Sequence, residues 1–337
     1  MSETLESIAL AMVATGKGIL AADESSGTIK KRFDAINVES TQDNRRDYRE
    51  MMFRTTDAMT NNISGVILFD ETIRQKGADG TPLVDVIKAA GSIPGIKVDG
   101  GAKELAGAPG EMITEGLDGL RDRFAEYYKI GARFAKWRAV INIGENIPST
   151  YCISTNVHAL ARYAKLAQEA GIVPIVEPEV IMDGSHSIER CEEVTETTLI
   201  ALFDALREQE VNLEGCILKP NMVISGSTAS NRAGVQEVAE RTLKVFKRTV
   251  PAAIPGIVFL SGGQSDLEAT AHLGAMNKMG PLPWKLSFSY GRALQAAPQK
   301  AWAGKADNVP AAQAAFAHRA KMNSLASKGE YSTDLEK

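Results

Sequence analysis

Short apolar runs recur along the chain, and many of them are continuous rather than alternating. Eight read as strands: Gly18–Ala22, Ser64–Phe69, Gly95–Asp99, Ala132–Trp137, Ile172–Glu177, Gly215–Pro220, Gly256–Ser261 and Lys285–Ser289. Stretches such as GVILF, GIVPIV and GIVFL lack the period-2 alternation of a half-exposed strand. They predict strands buried on both faces, as in a parallel sheet covered by helices. Helical patterns fall between them, among them Leu117–Lys129, Thr155–Gly171, Val194–Gln209 and Gln236–Lys247, with glycine at seams such as Gly131, Gly171, Gly215 and Gly256. Leu5, Ile8, Ala9, Met12 and Val13 share one helical face, so the chain opens with an extra N-terminal helix. Eight strands alternating with helices predict the α/β class and a closed (β/α)8 TIM barrel rather than an open sheet. No Pro/Gly/Ser-rich linker divides the chain, so residues 1–337 read as a single domain. The polar stretch from about 327 to 337 (SKGEYSTDLEK) predicts a flexible tail.

Charged residues interrupt the apolar runs mainly at their C-terminal ends: Asp23 and Glu24, Asp70, Lys97 and Asp99, Lys136 and Arg138, Glu177 and Glu179, Lys219, Arg292. In a barrel enzyme that rim holds the active site. Residues two apart on a strand point the same way, so Lys97/Asp99, Lys136/Arg138 and Glu177/Glu179 are three pairs each aimed at one side. Any one of them reads more simply as structural, a strand-end lysine holding a carboxylate. Burying so many charges is costly unless they pair with one another or with a ligand, and their recurrence on several strands predicts a functional rim.

Composition narrows the chemistry. The chain has 337 residues, 38 Lys+Arg against 42 Asp+Glu, and a formal net charge of −4. Basic residues are scattered along the chain, in no run longer than Lys30-Lys31-Arg32, which predicts no nucleic-acid surface. No apolar run approaches the ~20 residues that cross a bilayer, so no membrane partner is expected. Glu3 and Glu6 precede the first basic residue, Lys17, which is wrong for a signal or transit peptide. Three cysteines, Cys152, Cys191 and Cys216, with no CxxC pair read as reduced thiols in a cytoplasmic protein. The four histidines are scattered and read as surface or satisfied residues, with no metal-ligand spacing. No GxGxxG follows a strand, and neither GxxxxGK[ST] nor GxSxG is present. No metal and no cofactor is therefore expected.

What remains is a pocket of lysines and carboxylates. A lysine becomes a nucleophile when burial or a neighbouring cation favours its neutral amine. Lys219 ends the sixth run and Lys136 the fourth, so Lys136 can supply that positive potential. Glu177 can serve as the acid/base for carbinolamine dehydration, and Asp23 as the base that takes a hydroxyl proton when a carbon–carbon bond breaks. Ser261-Gly262-Gly263 and Ser289-Tyr290-Gly291-Arg292 follow the seventh and eighth runs, where barrels often build a phosphate site from backbone N–H groups. Arg292 adds a forked cation.

At these residues the sequence resembles the class I fructose-bisphosphate aldolases. The resemblance rests on GKGILAADES (16–25), NRRDYR (44–49), GVILFDET (65–72), GIKVD (95–99), FAKWR (134–138), ARYA (161–164), GIVPIVEPE (171–179), LKPNMV (218–223), FLSGGQS (259–265), FSYGRALQ (288–295) and KAW (300–302), in the family's order. It implies Lys219 as the Schiff-base lysine, Glu177 as the proton shuttle, Asp23 as the base at the C4 hydroxyl and Lys136 as the assisting cation. Glu179 resembles the partner that orients the basic cluster. Ser261, Gly262, Gly291 and Arg292, with Ser289 nearby, resemble the C1-phosphate site. Ser25, Lys31, Lys97 and Arg138 match positions around the C6-phosphate and the sugar hydroxyls, and Thr28 stands where a serine is common. The implied activity is reversible cleavage of fructose 1,6-bisphosphate to dihydroxyacetone phosphate and glyceraldehyde 3-phosphate, without metal, by a homotetramer. Two departures stand out. Many members end in a tyrosine used for proton exchange, whereas this chain ends at Lys337, with Tyr331 near the start of the tail. Gly100-Gly101 follows Asp99, where a basic residue is usual. Other readings are a Schiff-base aldolase of another ketose phosphate, such as a tagatose bisphosphate or a monophosphate, and a non-catalytic barrel scaffold.

Overall fold

The structure, a computed structural model, describes residues 3–337. Ten strands follow in chain order: β1 (Gly18–Ala22), β2 (Ile63–Leu68), β3 (Ile93–Lys97), β4 (Ala102–Glu104), β5 (Met112–Thr114), β6 (Phe134–Ile141), β7 (Val173–Val180), β8 (Ile217–Leu218), β9 (Gly256–Phe259) and β10 (Lys285–Tyr290). Eight of them close a barrel in the order β1-β10-β9-β8-β7-β6-β3-β2, all neighbours parallel. Each predicted run supplies one of these strands. The remaining pair, β4 and β5, forms an antiparallel hairpin inserted after β3 that the apolar pattern did not announce.

Strand periodicity divides the core in two. Ile19 and Ala21 of β1, Ile67 of β2, Phe134 of β6, Val173 and Ile175 of β7, Ile217 of β8 and Val258 of β9 form one buried cluster. The alternate residues Leu20, Ala22, Val66, Leu68, Ala135, Trp137, Val176, Leu218 and Phe259 belong to a second cluster that includes the surrounding helices. The first cluster is the barrel interior. The opening helix, Leu5–Met12, starts in a capping box in which Thr4 and Ser7 satisfy each other's backbone N–H groups. Its apolar face, Ile8, Ala9 and Met12 with Val13, packs into the interior cluster and plugs the bottom of the barrel.

The plug leaves no room for further bulk. A Cβ on Gly95 would stand 2.3 Å from the Phe134 ring, and one on Gly65 2.8 Å from the same ring. One aromatic residue on β6 thus fills the space that glycines leave on β2 and β3.

The polar tail is largely exposed, but two of its residues anchor it to the fold. Tyr331 is buried and donates from its hydroxyl to Glu336 Oε1 at 2.9 Å, and Arg319 Nη1 donates to both oxygens of Glu336 at 2.7 Å. Tyr331 lies against Gly274 in the outer helical layer, away from the strand-end cavity described below. Among the described residues no helix is long and apolar enough to cross a membrane.

Overpacking gives a direct check. Gly95→Ala should cost about 1–3 kcal/mol of stability in urea unfolding, because its methyl meets the buried Phe134 ring. Phe134→Leu in that background should recover part of the loss. An unchanged unfolding midpoint for Gly95→Ala would contradict the packing described.

Candidate active site

The period of two that makes the interior apolar at the bottom makes it charged at the top. Ile19 and Ala21 are followed on the same face by Asp23, Gly95 by Lys97, Phe134 by Lys136 and Arg138, Ile175 by Glu177 and Glu179, and Ile217 by Lys219. Parallel register then sets neighbours: Lys97 stands opposite Lys136, and Arg138 opposite Glu177. Lys219 continues the ladder just past β8, its N–H donating to Val176 O at 2.9 Å. Asn221, two residues on, accepts from Val180 N at 3.2 Å and donates to Thr195 Oγ1 at 3.1 Å, which pins this strand end.

Four side chains form the centre. Glu177 reaches Lys219 Nζ with Oε1 at 3.0 Å and Lys136 Nζ with Oε2 at 3.1 Å. Lys136 Nζ also lies 2.8 Å from Asp23 Oδ2. Lys136, Glu177 and Lys219 are all at most 4% exposed. Burial alone would push the Asp23 carboxyl up, but Lys136, Lys219 and Lys97 outweigh it and hold the group well below the usual carboxylate range. Burial likewise opposes the charge on Lys136, yet Asp23 and Glu177, with Asp99, raise it above the usual lysine range. Glu177 is lowered against the effect of burial by Lys136, Lys219 and Arg138. Lys136 is thus a fixed cation shared by two carboxylates, and Glu177 is a carboxylate shared by two lysines.

A second set of pairs surrounds this centre. Lys97 Nζ meets Asp99 Oδ1 at 2.6 Å, Asp99 Oδ2 accepts from Arg138 N at 3.3 Å, and Arg138 pairs with Glu179. Glu24, beside Asp23, pairs with Arg32, accepts from Gln295 Nε2 at 2.7 Å, and gives its backbone carbonyl to the fully buried Arg49 at 2.8 Å.

These groups line a cavity of about 870 Å³ at the C-terminal ends of the strands. That is ample for a sugar bisphosphate. Arg292 is the one cavity-lining cation that forms no ion pair among the described residues. It opens the helix Arg292–Trp302, whose preceding residue Gly291 offers no side-chain cap. The N–H groups of Arg292 and Ala293 have no partner among the described residues and can meet an anion, next to Ser261, Gly262 and Ser289. On another wall Ser25 caps the helix Ser26–Asp34, accepting from Thr28 N at 3.4 Å and sharing a 3.1 Å hydrogen bond with Thr28 Oγ1.

The cavity brings together Asp23, Ser25, Lys97, Lys136, Arg138, Glu177, Glu179, Lys219, Ser261, Gly262, Ser289, Gly291 and Arg292, and Gly100-Gly101 form part of its wall. Lys31 is not among them. It is exposed on the outside of its helix, and Arg32 lines the cavity instead. The spacing Ser25, Thr28, Arg32 follows one helical face and was the signal that sequence offered for Arg32. Glu24, Thr28 and Asp99 also line the wall. Asp70 turns away, accepting from Tyr127 Oη at 2.8 Å and pairing with Arg74. Among the described residues, no group of three or more His, Cys, Asp or Glu side chains is arranged to hold a metal ion.

Known proteins place the chain among relatives. The family described as "Glycolytic: Fructose-bisphosphate aldolase class-I" matches residues 4–337. A "Probable fructose-bisphosphate aldolase class 1" of Xanthomonas axonopodis pv. citri is 61% identical over 330 residues, which cover 98% of each chain. "Fructose-bisphosphate aldolase 4, cytosolic" of Arabidopsis thaliana is 56% identical over 95% of this chain and 82% of its own. A crystal structure of fructose-bisphosphate aldolase from Plasmodium falciparum, in complex with TRAP and a small-molecule inhibitor, superposes with a TM-score of 0.95 at 48% identity, covering 97% of this chain and 95% of that one.

The shared cation sets a pH-dependent stability. Asp23 and Glu177, held low in the fold, contribute stability that is present above their ordinary range and lost as pH falls below about 4. Lys136→Met leaves both carboxylates buried without it and should cost about 3–5 kcal/mol at neutral pH. With the cation gone, less opposes the effect of burial and both groups take up protons more readily, so the penalty should shrink as pH falls. Urea midpoints of wild type and variant at pH 7.5 and 4.5 test this; a gap of equal size at both would contradict it.

Proposed function

The chain belongs to the class I fructose-bisphosphate aldolases, and on that footing we propose that Lys219 is the amine that captures the ketone, with Glu177, Asp23 and Lys136 serving it. The observation that carries this assignment is the Glu177 carboxylate, placed 3.0 Å from Lys219 and 3.1 Å from Lys136. Glu177 Oε1 takes a proton from Lys219, and the free amine adds to C2 of fructose 1,6-bisphosphate. The protonated Glu177 returns its proton to the carbinolamine hydroxyl, which leaves as water and gives an iminium. Asp23 Oδ1 or Oδ2 then takes the C4 hydroxyl proton. The C3–C4 electron pair flows to the iminium, so glyceraldehyde 3-phosphate departs and an enamine remains on Lys219. A proton from solvent at C3 and hydrolysis of the resulting iminium release dihydroxyacetone phosphate and restore the amine, and Asp23 returns to solvent the proton it took.

Lys136 keeps its proton throughout. Its charge favours the ionised forms of Asp23 and Glu177 and offsets the burial of both. The C1-phosphate is assigned to Ser261, Gly262, Gly291 and Arg292 with Ser289 beside them. The distal phosphate is assigned to Ser25, Thr28 and Arg32 at a helix N-terminus, and the hydroxyls to Lys97 and Arg138 with Glu179 orienting the arginine. Exposed Lys31 stands outside that wall. A homotetramer is the assembly we carry over from the family, and the cytosolic names of plant relatives support a cytoplasmic enzyme.

Two substitutions separate the roles. Glu177→Gln should lower kcat by about 10²- to 10⁴-fold, the usual range for a lost acid/base, with a much smaller change in KM. Asp23→Asn should slow carbon–carbon cleavage to a similar degree while the variant still exchanges a C3 proton of dihydroxyacetone phosphate with solvent, because iminium formation does not use Asp23. Loss of exchange and cleavage together in Asp23→Asn would contradict the division of labour.

A further inference from the structure

We propose that His272 is a positioning residue for the loop Ser261–Gly263, acting through the side chain of Gln264, and that it thereby sets the enzyme's preference for phosphorylated ketones; this rests on the assignment of that loop to the C1-phosphate. The loop is over-determined from below. Gly263 has φ +71°, and a Cβ there would stand 2.0 Å from Met182 Cγ, while one on Gly262 would stand 2.7 Å from Met182 Cε. Gln264 N closes the turn onto Ser261 O at 3.3 Å. Ser265 then caps the helix Asp266–Lys278 in a capping box with Glu268.

Between the turn and the cap, the Gln264 side chain is buried, and it does not face an obvious partner of its own loop. Its Oε1 lies 2.6 Å from His272 Nδ1, and its Nε2 has no partner. His272 is 5% exposed, and burial lowers its pKa to about 4, so the ring is neutral and donates one N–H from Nδ1. That hydrogen bond is the single polar tether of the Gln264 side-chain amide among the described residues. It fixes the residue whose backbone closes the turn behind Ser261 and Gly262, the two loop residues on the cavity wall. Donors to a phosphate act only when their directions are held, and small displacements of such groups are felt strongly. Sequence showed only one of four scattered histidines.

Borohydride trapping by the full chain tests this, with dihydroxyacetone phosphate and unphosphorylated dihydroxyacetone compared as the trapped ketones. His272→Leu fills the space without a donor. His272→Asn keeps an amide N–H near the place of Nδ1. His272→Leu should lower the phosphate preference about tenfold with the dihydroxyacetone rate unchanged, and His272→Asn should stay close to wild type. Gln264→Met should match His272→Leu, and the double variant should lose no more than either alone; it also decides the matter if His272→Leu does not fold. Equal loss on both ketones, or no change of preference, would overturn the role of His272. Arg292→Ala is the control for the site itself: if it leaves the preference unchanged, the loop assignment fails, independently of His272.

Discussion

The Lys136 ammonium stands between Asp23 and Glu177, and the rest of the site depends on that shared charge. Each ion taken from water into such an interior costs several kcal/mol unless its partners are well placed. Lys136 meets two carboxylates at 2.8 and 3.1 Å, which leaves the second oxygen of Glu177 for Lys219 at 3.0 Å. Each of the four finds its ion-pair partners among the other three. The same mutual compensation suits the chemistry, because a proton moving from Lys219 to Glu177 neutralises both groups and leaves the Lys136–Asp23 pair intact. The proposed proton transfer would therefore strand no charge in the buried cavity.

That arrangement needs strand ends held at fixed separations, and the barrel supplies them. The faces that carry Asp23, Lys136, Glu177 and Lys219 carry Ala21, Phe134, Ile175 and Ile217 one step below, in the apolar interior plugged by the opening helix. Phe134 packed against Gly65 and Gly95 gives β6, β3 and β2 little freedom to slide. The proposed phosphate site uses different means. Loops after β9 and β10 and the N-terminus of the helix Arg292–Trp302 present backbone donors and one arginine that is unpaired among the described residues, so the proposed phosphate anchor is separate from the proposed proton-transfer centre.

Much of this was legible in the sequence for one reason. Strands buried on both faces leave continuous apolar runs, and charges that end those runs two apart can only face the same way. All eight barrel strands and the set Asp23, Lys136, Glu177 and Lys219 follow from that. The hairpin β4–β5 was not legible, because three-residue strands such as Ala102–Glu104 are too short and too polar to form a run. Lys31 was expected in the cavity and Arg32 is there, since the KKR stretch makes neighbours equivalent in composition while the helix gives each a different direction. Tyr331 and Glu336 looked loose for their polarity, yet Glu336 accepts from the Tyr331 hydroxyl and pairs with Arg319, which only the fold brings near. Gln264 and His272, eight residues apart, become partners through the turn and cap between them.

The account stands most directly on one covalent bond. Borohydride added to the enzyme with dihydroxyacetone phosphate should reduce a single imine, and peptide mass mapping should place the adduct on Lys219, with Lys136 unmodified. An adduct on Lys136, or full inactivation of cleavage by EDTA with no adduct on any lysine, would contradict it.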